Sequence, residues 1–385
     1  MRFSVFSMFD PLQVEQTYEM QVFSAFLYCA IACFFWKKCV VTPSDYVPSR
    51  IGITLSLLFL IFAITPTYTG DFWGYKPLVE YFDPTYGTWH LEDFYQNLLR
   101  LIGPNYLLFR LLVWGGAELL FLISCSRFKI DPYKTLFLLF CLFVTKFVYA
   151  RATLAMAVYF FGISFVCKPI QRKKVVSIII GIGIVLFSTF FHRSMIALVL
   201  LTPIIFVPLS KKSVILILLI IPLLTLLIRN ILVDFSHLIV EEDRVYDMQT
   251  YATTKDFGSI VAKTDLLFWW GCLSFFVSFF MISFLVLNKN KKMLVPNASE
   301  ILYRLVFGIT IFSYCCYFIR PENPTLFYRY LYMTMIPLVI ILEDLRKNRI
   351  IKQKTFIIIA IIGLTPELAT FFYRVFVKFT PIGYH

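Results

Sequence analysis

The sequence predicts an all-α, polytopic integral membrane bundle of about twelve transmembrane helices, and three observations carry that prediction. Hydrophobic residues make up 59% of the 385 positions and charged residues only 15%, with a mean hydropathy of +0.78, whereas a soluble domain of this length needs a far more polar surface. The apolar residues fall into runs close to the ~20 residues that span a hydrocarbon core of ~30 Å. Between the runs, Lys and Arg collect in every second loop, the pattern that orients membrane proteins.

The expected crossings are 18–36, 51–67, 105–125, 134–150, 151–167, 175–191, 194–209, 212–229, 265–287, 301–319, 326–345 and 355–376. Pro203, Pro222, Pro337 and Pro366 fall inside runs, where neighbouring helices can satisfy the freed backbone groups. The first run begins near Phe23 after Asp10, Glu15 and Glu19 rather than after a basic start, so no cleavable signal peptide is expected. Lys37, Lys38 and Arg50, then Arg127, Lys129 and Lys134, then Lys168, Arg172, Lys173 and Lys174 mark the first cytoplasmic loops. Lys211 and Lys212, Lys289, Lys291 and Lys292, and finally Arg346, Lys347, Arg349, Lys352 and Lys354 mark the rest. These short loops hold more than half of the 36 basic residues. Both termini then face outside, and residues 1–385 form one transmembrane domain.

Two long outer loops follow from that topology, 67–104 and 230–264. The second carries Ile231, Leu232, Phe235, Leu238 and Ile239 at roughly helical spacing beside Asp234 and Glu241, the pattern of an interfacial helix. The first carries Asp71, Glu80, Asp83, Glu92 and Asp93 among Trp73, Tyr75, Tyr81, Tyr86 and Trp89. Aromatics among carboxylates suit sugar rings, and they equally suit an aromatic belt at the interface.

The net charge of +13 is explained by these loops, so no nucleic acid partner is expected. Nine cysteines show no CxxC pair, and most sit in apolar runs as packing residues. His90, His192, His237 and His385 are far apart in sequence, and no cluster has metal-ligand spacing. Neither a metal nor a cofactor is expected. The GxG at Gly181 and Gly183 has no preceding strand and reads as helix packing. Glu118, Lys146, Arg304 and Glu367 lie within crossings, where each needs a partner or a wet cavity.

Six arginines stand on the side where positive charge is disfavoured: Arg110, Arg151, Arg193, Arg229, Arg320 and Arg329. A charge near the hydrocarbon costs about 2.5–3.5 kcal/mol at a helix centre and less toward its ends. Arginine stays charged when partly buried and presents a planar fork to phosphate oxygens. A shared anionic ligand on the outer face would justify the set; single arginines at helix ends also snorkel or pair with carboxylates such as Glu322. His192 beside Arg193 could supply an acceptor or a proton near neutral pH.

The run YARATLAMAVYFFGISFVCK, followed about 20 apolar residues later by FFHRSMIALVLL, resembles the central pattern of the EpsG family, itself similar to the Wzy polymerases of bacterial surface polysaccharides. TGDFWGYKPLVEYFD and FIRPENPTLFYRYLYM are compatible with the family's remaining polar positions, so the resemblance spans roughly residues 65–345. It implies a glycosyltransferase in the bacterial cytoplasmic (inner) membrane with its active site facing the periplasm or exterior. The implied substrate is an oligosaccharide repeat unit on undecaprenyl diphosphate. Flippase and chain-length regulator proteins of the same pathway are the protein partners implied. Arg151 and His192 carry over most directly; Asp71, Arg193, Arg320, Arg329 and Tyr330 also match. Arg151, Arg193, Arg320 and Arg329 would hold the diphosphate, His192 or Asp71 would take the acceptor proton, and Trp73, Tyr75, Trp89 and Tyr330 would face sugar. A polysaccharide ligase, which meets the same diphosphate on the same leaflet, is the nearest alternative. A flippase or exporter of the same unit would want its cations to continue toward the cytoplasm, whereas these arginines gather at the outer edge. An O-acyltransferase would want a histidine buried in a crossing, whereas His192 reads as external.

Overall fold

The computed structural model describes residues 18–64, 78–87, 91–142, 150–168, 173–210, 212–217, 276–284, 297–318 and 330–372, with a few isolated positions between them. All regular structure in these residues is helical. In chain order the helices are α1 (Tyr18–Trp36), α2 (Ser49–Ile64), α3 (Asp93–Ile102), α4 (Tyr106–Phe128), α5 (Pro132–Leu142) and α6 (Ala150–Cys167). They continue as α7 (Lys174–Phe187), α8 (Met195–Leu201), α9 (Asn297–Phe318), α10 (Met335–Lys347) and α11 (Gln353–Phe372). Short 3₁₀ turns, Ser188–Phe190 and Thr202–Phe206, extend α7 and α8. Apart from α3, every helix falls on an expected crossing. Among the described residues, Tyr106–Phe128 and Ser299–Cys316 are long and apolar enough to cross a membrane, and five other apolar helices are shorter.

Helix α6 is the centre of the bundle because its sequence is apolar on every side, which only a surrounded helix tolerates. Ala155, Met156, Tyr159, Phe160 and Ile163 are all fully buried, and α6 packs against α4, α7, α8 and α9. Its contact with α7 is the closest kind. A Cβ on Gly162 would stand 2.8 Å from the Gly181 carbonyl oxygen, and a Cβ on Gly181 would stand 2.8 Å from that of Gly162. Two glycines facing each other let the backbones touch, as small residues do at membrane helix contacts. Gly183, the other half of the GxG, has nothing within 4 Å. The outer face of α7 leaves Val175, Val176, Ile179, Ile182 and Leu186 uncovered, an apolar stripe suited to lipid.

The loops expected on the cytoplasmic side meet at one end of the bundle. The Asp131 carboxylate accepts from the backbone N–H groups of Val47, Tyr133 (2.8 Å) and Lys134 (3.0 Å). Lys134 Nζ donates to the carbonyls of Thr42 (3.4 Å) and Ser44. On α10, Arg346 grips Glu343 with two bonds of 2.7 and 2.6 Å, and Lys347 donates to the Tyr46 hydroxyl at 2.9 Å. The 37–50, 127–134 and 343–349 segments are thereby tied together. Arg127 closes the same end of α6, donating to Ser164 Oγ (2.9 Å) and the Lys168 carbonyl (3.1 Å).

Gly181→Val should force apart a contact made by backbone atoms that cannot yield, at about 1–3 kcal/mol for overpacking. Gly183→Ala, which meets only open space, should be neutral or slightly stabilising. Thermal unfolding midpoints of the two variants in the same detergent check the contrast: a lowered midpoint for the first alone.

Candidate active site

At the opposite end, three side chains from distant segments meet around one carboxylate. Glu92 precedes α3, Arg151 is the second residue of α6, and His192 lies in the turn between α7 and α8. Arg151 Nη1 donates to Glu92 Oε2, and His192 Nδ1 stands 3.2 Å from Glu92 Oε1. The side chains of Arg151, Glu92 and His192 are 8%, 14% and 13% exposed. That is enough shielding to strengthen their attraction while leaving an approach from outside.

Local chemistry explains each position. Glu92 is the N-cap residue of α3 yet makes no side-chain capping bond, although a carboxylate there commonly bonds the first N–H groups. Its oxygens are turned instead to Arg151 and His192. Arg151 carries positive charge at the positive end of α6's dipole, an arrangement that a neighbouring carboxylate relieves. The His192 turn is held from both sides. Phe191 packs on Phe94 of α3 with ring centroids 4.3 Å apart, and the Tyr330 hydroxyl donates to the Ser194 carbonyl at 3.1 Å. Tyr95 of α3 is buried and donates its hydroxyl to the Arg151 carbonyl at 3.2 Å.

Helix α3 exists because DFYQNLLRLI has one apolar face and clear ends. Tyr95 and Leu99 are buried. The helix stops at Gly103, which takes φ +77° and returns its N–H to the Leu99 carbonyl at 2.8 Å. Asn105 then caps α4 by accepting from the Leu108 N–H at 2.9 Å.

Burial by itself would raise the Glu92 carboxyl, but the close His192 imidazole and the Arg151 charge outweigh it and hold the group at about 2. Glu92 is therefore ionised at neutral pH. Its contact to Nδ1 favours the His192 tautomer with the proton on Nδ1, leaving Nε2 as the basic atom.

The sequence candidates separate under this geometry. Arg151 and His192 are brought together, with Arg193 exposed beside them. Tyr330 is fully buried with its ring edge on Phe312 at 4.8 Å, so in this conformation it supports the His192 turn. Arg110 is committed elsewhere: Nε donates to the Ala63 carbonyl at 2.9 Å, Nη2 joins it, and Nη1 stands 3.4 Å from the Tyr106 hydroxyl. It caps the end of α2. Asp71, Trp73, Tyr75, Trp89, Arg229, Arg320, Arg329 and the expected interfacial helix in 230–264 lie outside the described residues. Among the described residues, no group of three or more His, Cys, Asp or Glu could hold a metal ion. Glu92 is the residue that sequence reasoning passed over. Its signal was Glu92-Asp93 opening an amphipathic decapeptide, Asp93–Ile102, that is followed by Gly-Pro-Asn.

Among the described residues the fold is an all-helical bundle with apolar outer faces and an Arg–Glu–His trio at one rim, the build of a membrane protein. The EpsG family model matches residues 50–382, and the chain belongs to the EpsG family. This family comprises Wzy-like polysaccharide polymerases, which are membrane proteins, and membership supports polymerase activity in exopolysaccharide biosynthesis. Comparison with curated proteins and with solved structures finds no match.

Glu92 is depressed in the folded state, so its ion pair contributes full stability above about 4.5 and loses it as pH falls through about 2. The shift corresponds to on the order of 3 kcal/mol at neutral pH. Glu92→Gln should unfold at a lower temperature than the parent at pH 7, and the gap should narrow at pH 3. Paired melts at the two pH values read this directly.

Proposed function

We propose that the chain polymerises oligosaccharide repeat units carried on undecaprenyl diphosphate at the outer leaflet of a bacterial inner membrane. The observation that carries the reading is the Glu92-centred trio, which puts a guanidinium and an oriented imidazole side by side at one rim of the bundle. The reading keeps about twelve crossings, both termini outside and the two outer loops 67–104 and 230–264 on the side of this site.

In the proposed reaction a hydroxyl oxygen of one lipid-linked unit attacks the anomeric carbon of the growing chain. The new glycosidic bond forms as the bond from that carbon to the diphosphate breaks, and undecaprenyl diphosphate leaves with the electron pair. The acceptor proton passes to His192 Nε2, the nitrogen turned away from Glu92; Asp71 is the competing base. Arg151, together with Arg193, Arg320 and Arg329, holds the departing diphosphate. Guanidinium groups can stabilise its developing charge without requiring a metal ion. Trp73, Tyr75 and Trp89 offer stacking surfaces to the sugars, and Tyr330 serves the site through the Ser194 carbonyl. Flippase and chain-length regulator proteins of the same pathway complete the partners of this reading.

Arg151→Ala should abolish long chains with the protein present at its normal level, and His192→Gln should slow polymerisation by about 10²–10⁴-fold if it acts as the base. Deleting the gene in its own host, with a leaflet-specific probe for lipid-linked intermediates, tests the class. Single repeat units left on the outer leaflet support a polymerase. Long lipid-linked chains awaiting an acceptor would instead indicate a ligase, and single units held on the cytoplasmic leaflet a flippase.

A further inference from the structure

Five helices converge on a carboxyl group that the outer site does not use. Glu118 lies midway along α4 and is buried at 4% exposure. Ser56 of α2 donates its hydroxyl to Oε1, while Oε2 has no hydrogen-bond partner among the described residues. No cation is paired with it there either.

The same carboxyl lines a cavity of ≈ 20 Å³ together with Phe59 of α2, Trp114 of α4, Leu139 of α5, Thr153 of α6 and Ile336 of α10. By that measure one water needs about 10–15 Å³. A metal ion would want several oxygen ligands, and the lining side chains offer only the Glu118 carboxyl and the Thr153 hydroxyl. No other lining side chain is acidic or basic. Behind the wall, the Tyr332 hydroxyl shares a 2.9 Å hydrogen bond with Thr153 Oγ1. An ionised carboxylate would therefore face mostly aromatic and aliphatic surface, with the Ser56 and Thr153 hydroxyls and the Trp114 indole N–H as the polar groups around it, whereas a neutral acid needs only an acceptor for its own O–H.

We propose that Glu118 and this cavity form a binding site for one proton and one water. The acid is carried neutral, its Oε1 accepting from Ser56 and its Oε2–H donating to a water in the cavity. The water in turn donates to the Thr153 hydroxyl. The junction of α2, α4, α5, α6 and α10 is thus held by hydrogen bonds without a net charge in the apolar interior. Ionising the acid would draw in more water and loosen it. Nothing in this site depends on the polymerase reading.

Infrared difference spectroscopy of the full-length protein in lipid nanodiscs at pH 7 tests it, comparing the parent with Glu118→Gln. The parent should show a protonated-carboxyl stretch that is lost in the variant and moves down in D₂O. A water O–H band that shifts in H₂¹⁸O should be lost with it. Ser56→Ala, which leaves the acid proton in place, should move the carboxyl band up because the carbonyl loses its donor; this gives a second reading should the Gln variant fail to fold. Absence of a carboxyl band assignable to Glu118, a band indifferent to Ser56→Ala, or no associated water band would each overturn the proposal.

Discussion

One end of this bundle depends on a single carboxylate. Glu92 bonds Arg151, 59 positions along the chain, and reaches His192 in a third segment. Without it, Arg151 would present its charge to the positive end of its own helix in a shielded setting, where an unpaired cation is costly. Helix α3 carries the carboxylate to that place, and the contacts of Tyr95 with the Arg151 carbonyl and of Phe94 with Phe191 keep it there. Positioning and charge compensation come from the same ten-residue helix.

The two ends of the bundle use arginine differently. At the end where the basic loops gather, Arg346 and Arg127 are consumed by fixed partners, a bidentate carboxylate in one case and a hydroxyl with a helix-end carbonyl in the other. At the rim opposite, Arg110 follows that structural pattern by capping α2. Arg151 does not. Its partner is a carboxylate shared with a histidine, the place an anionic ligand would take on the polymerase reading.

Most of the helical framework was legible because a chain in hydrocarbon has to write each crossing as an apolar run. α4 and α9 were read nearly end to end, and Arg151 and His192 stood out as polar residues placed where apolar runs stop. Glu92 did not stand out. The 67–104 segment holds five acids, and only the fold decides which of them faces an arginine. Helix α3 was hidden for a related reason: ten residues cannot span a bilayer, so a search tuned to length passes over them, although the Gly103 stop and the apolar face follow ordinary rules. Arg110 illustrates the opposite error of resolution. Its position matched the ligand-binding pattern, yet the Ala63 carbonyl that occupies it is invisible until two helices are docked.

On the polymerase reading, the pairing of Arg151 with Glu92 sets the order of events. With His192 neutral, the trio carries no net charge, so the apo site is stable and attracts anions only modestly. A diphosphate that takes Arg151 leaves Glu92 with His192 as its remaining counter-charge, and this raises the basicity of the imidazole. On that reading, substrate binding and base strength would be coupled through one carboxylate. Because Glu92 begins α3, the coupling also bears on the helix that carries it. On the same reading, arrival of the leaving group would reach the segment that holds Glu92 through a bond exchange.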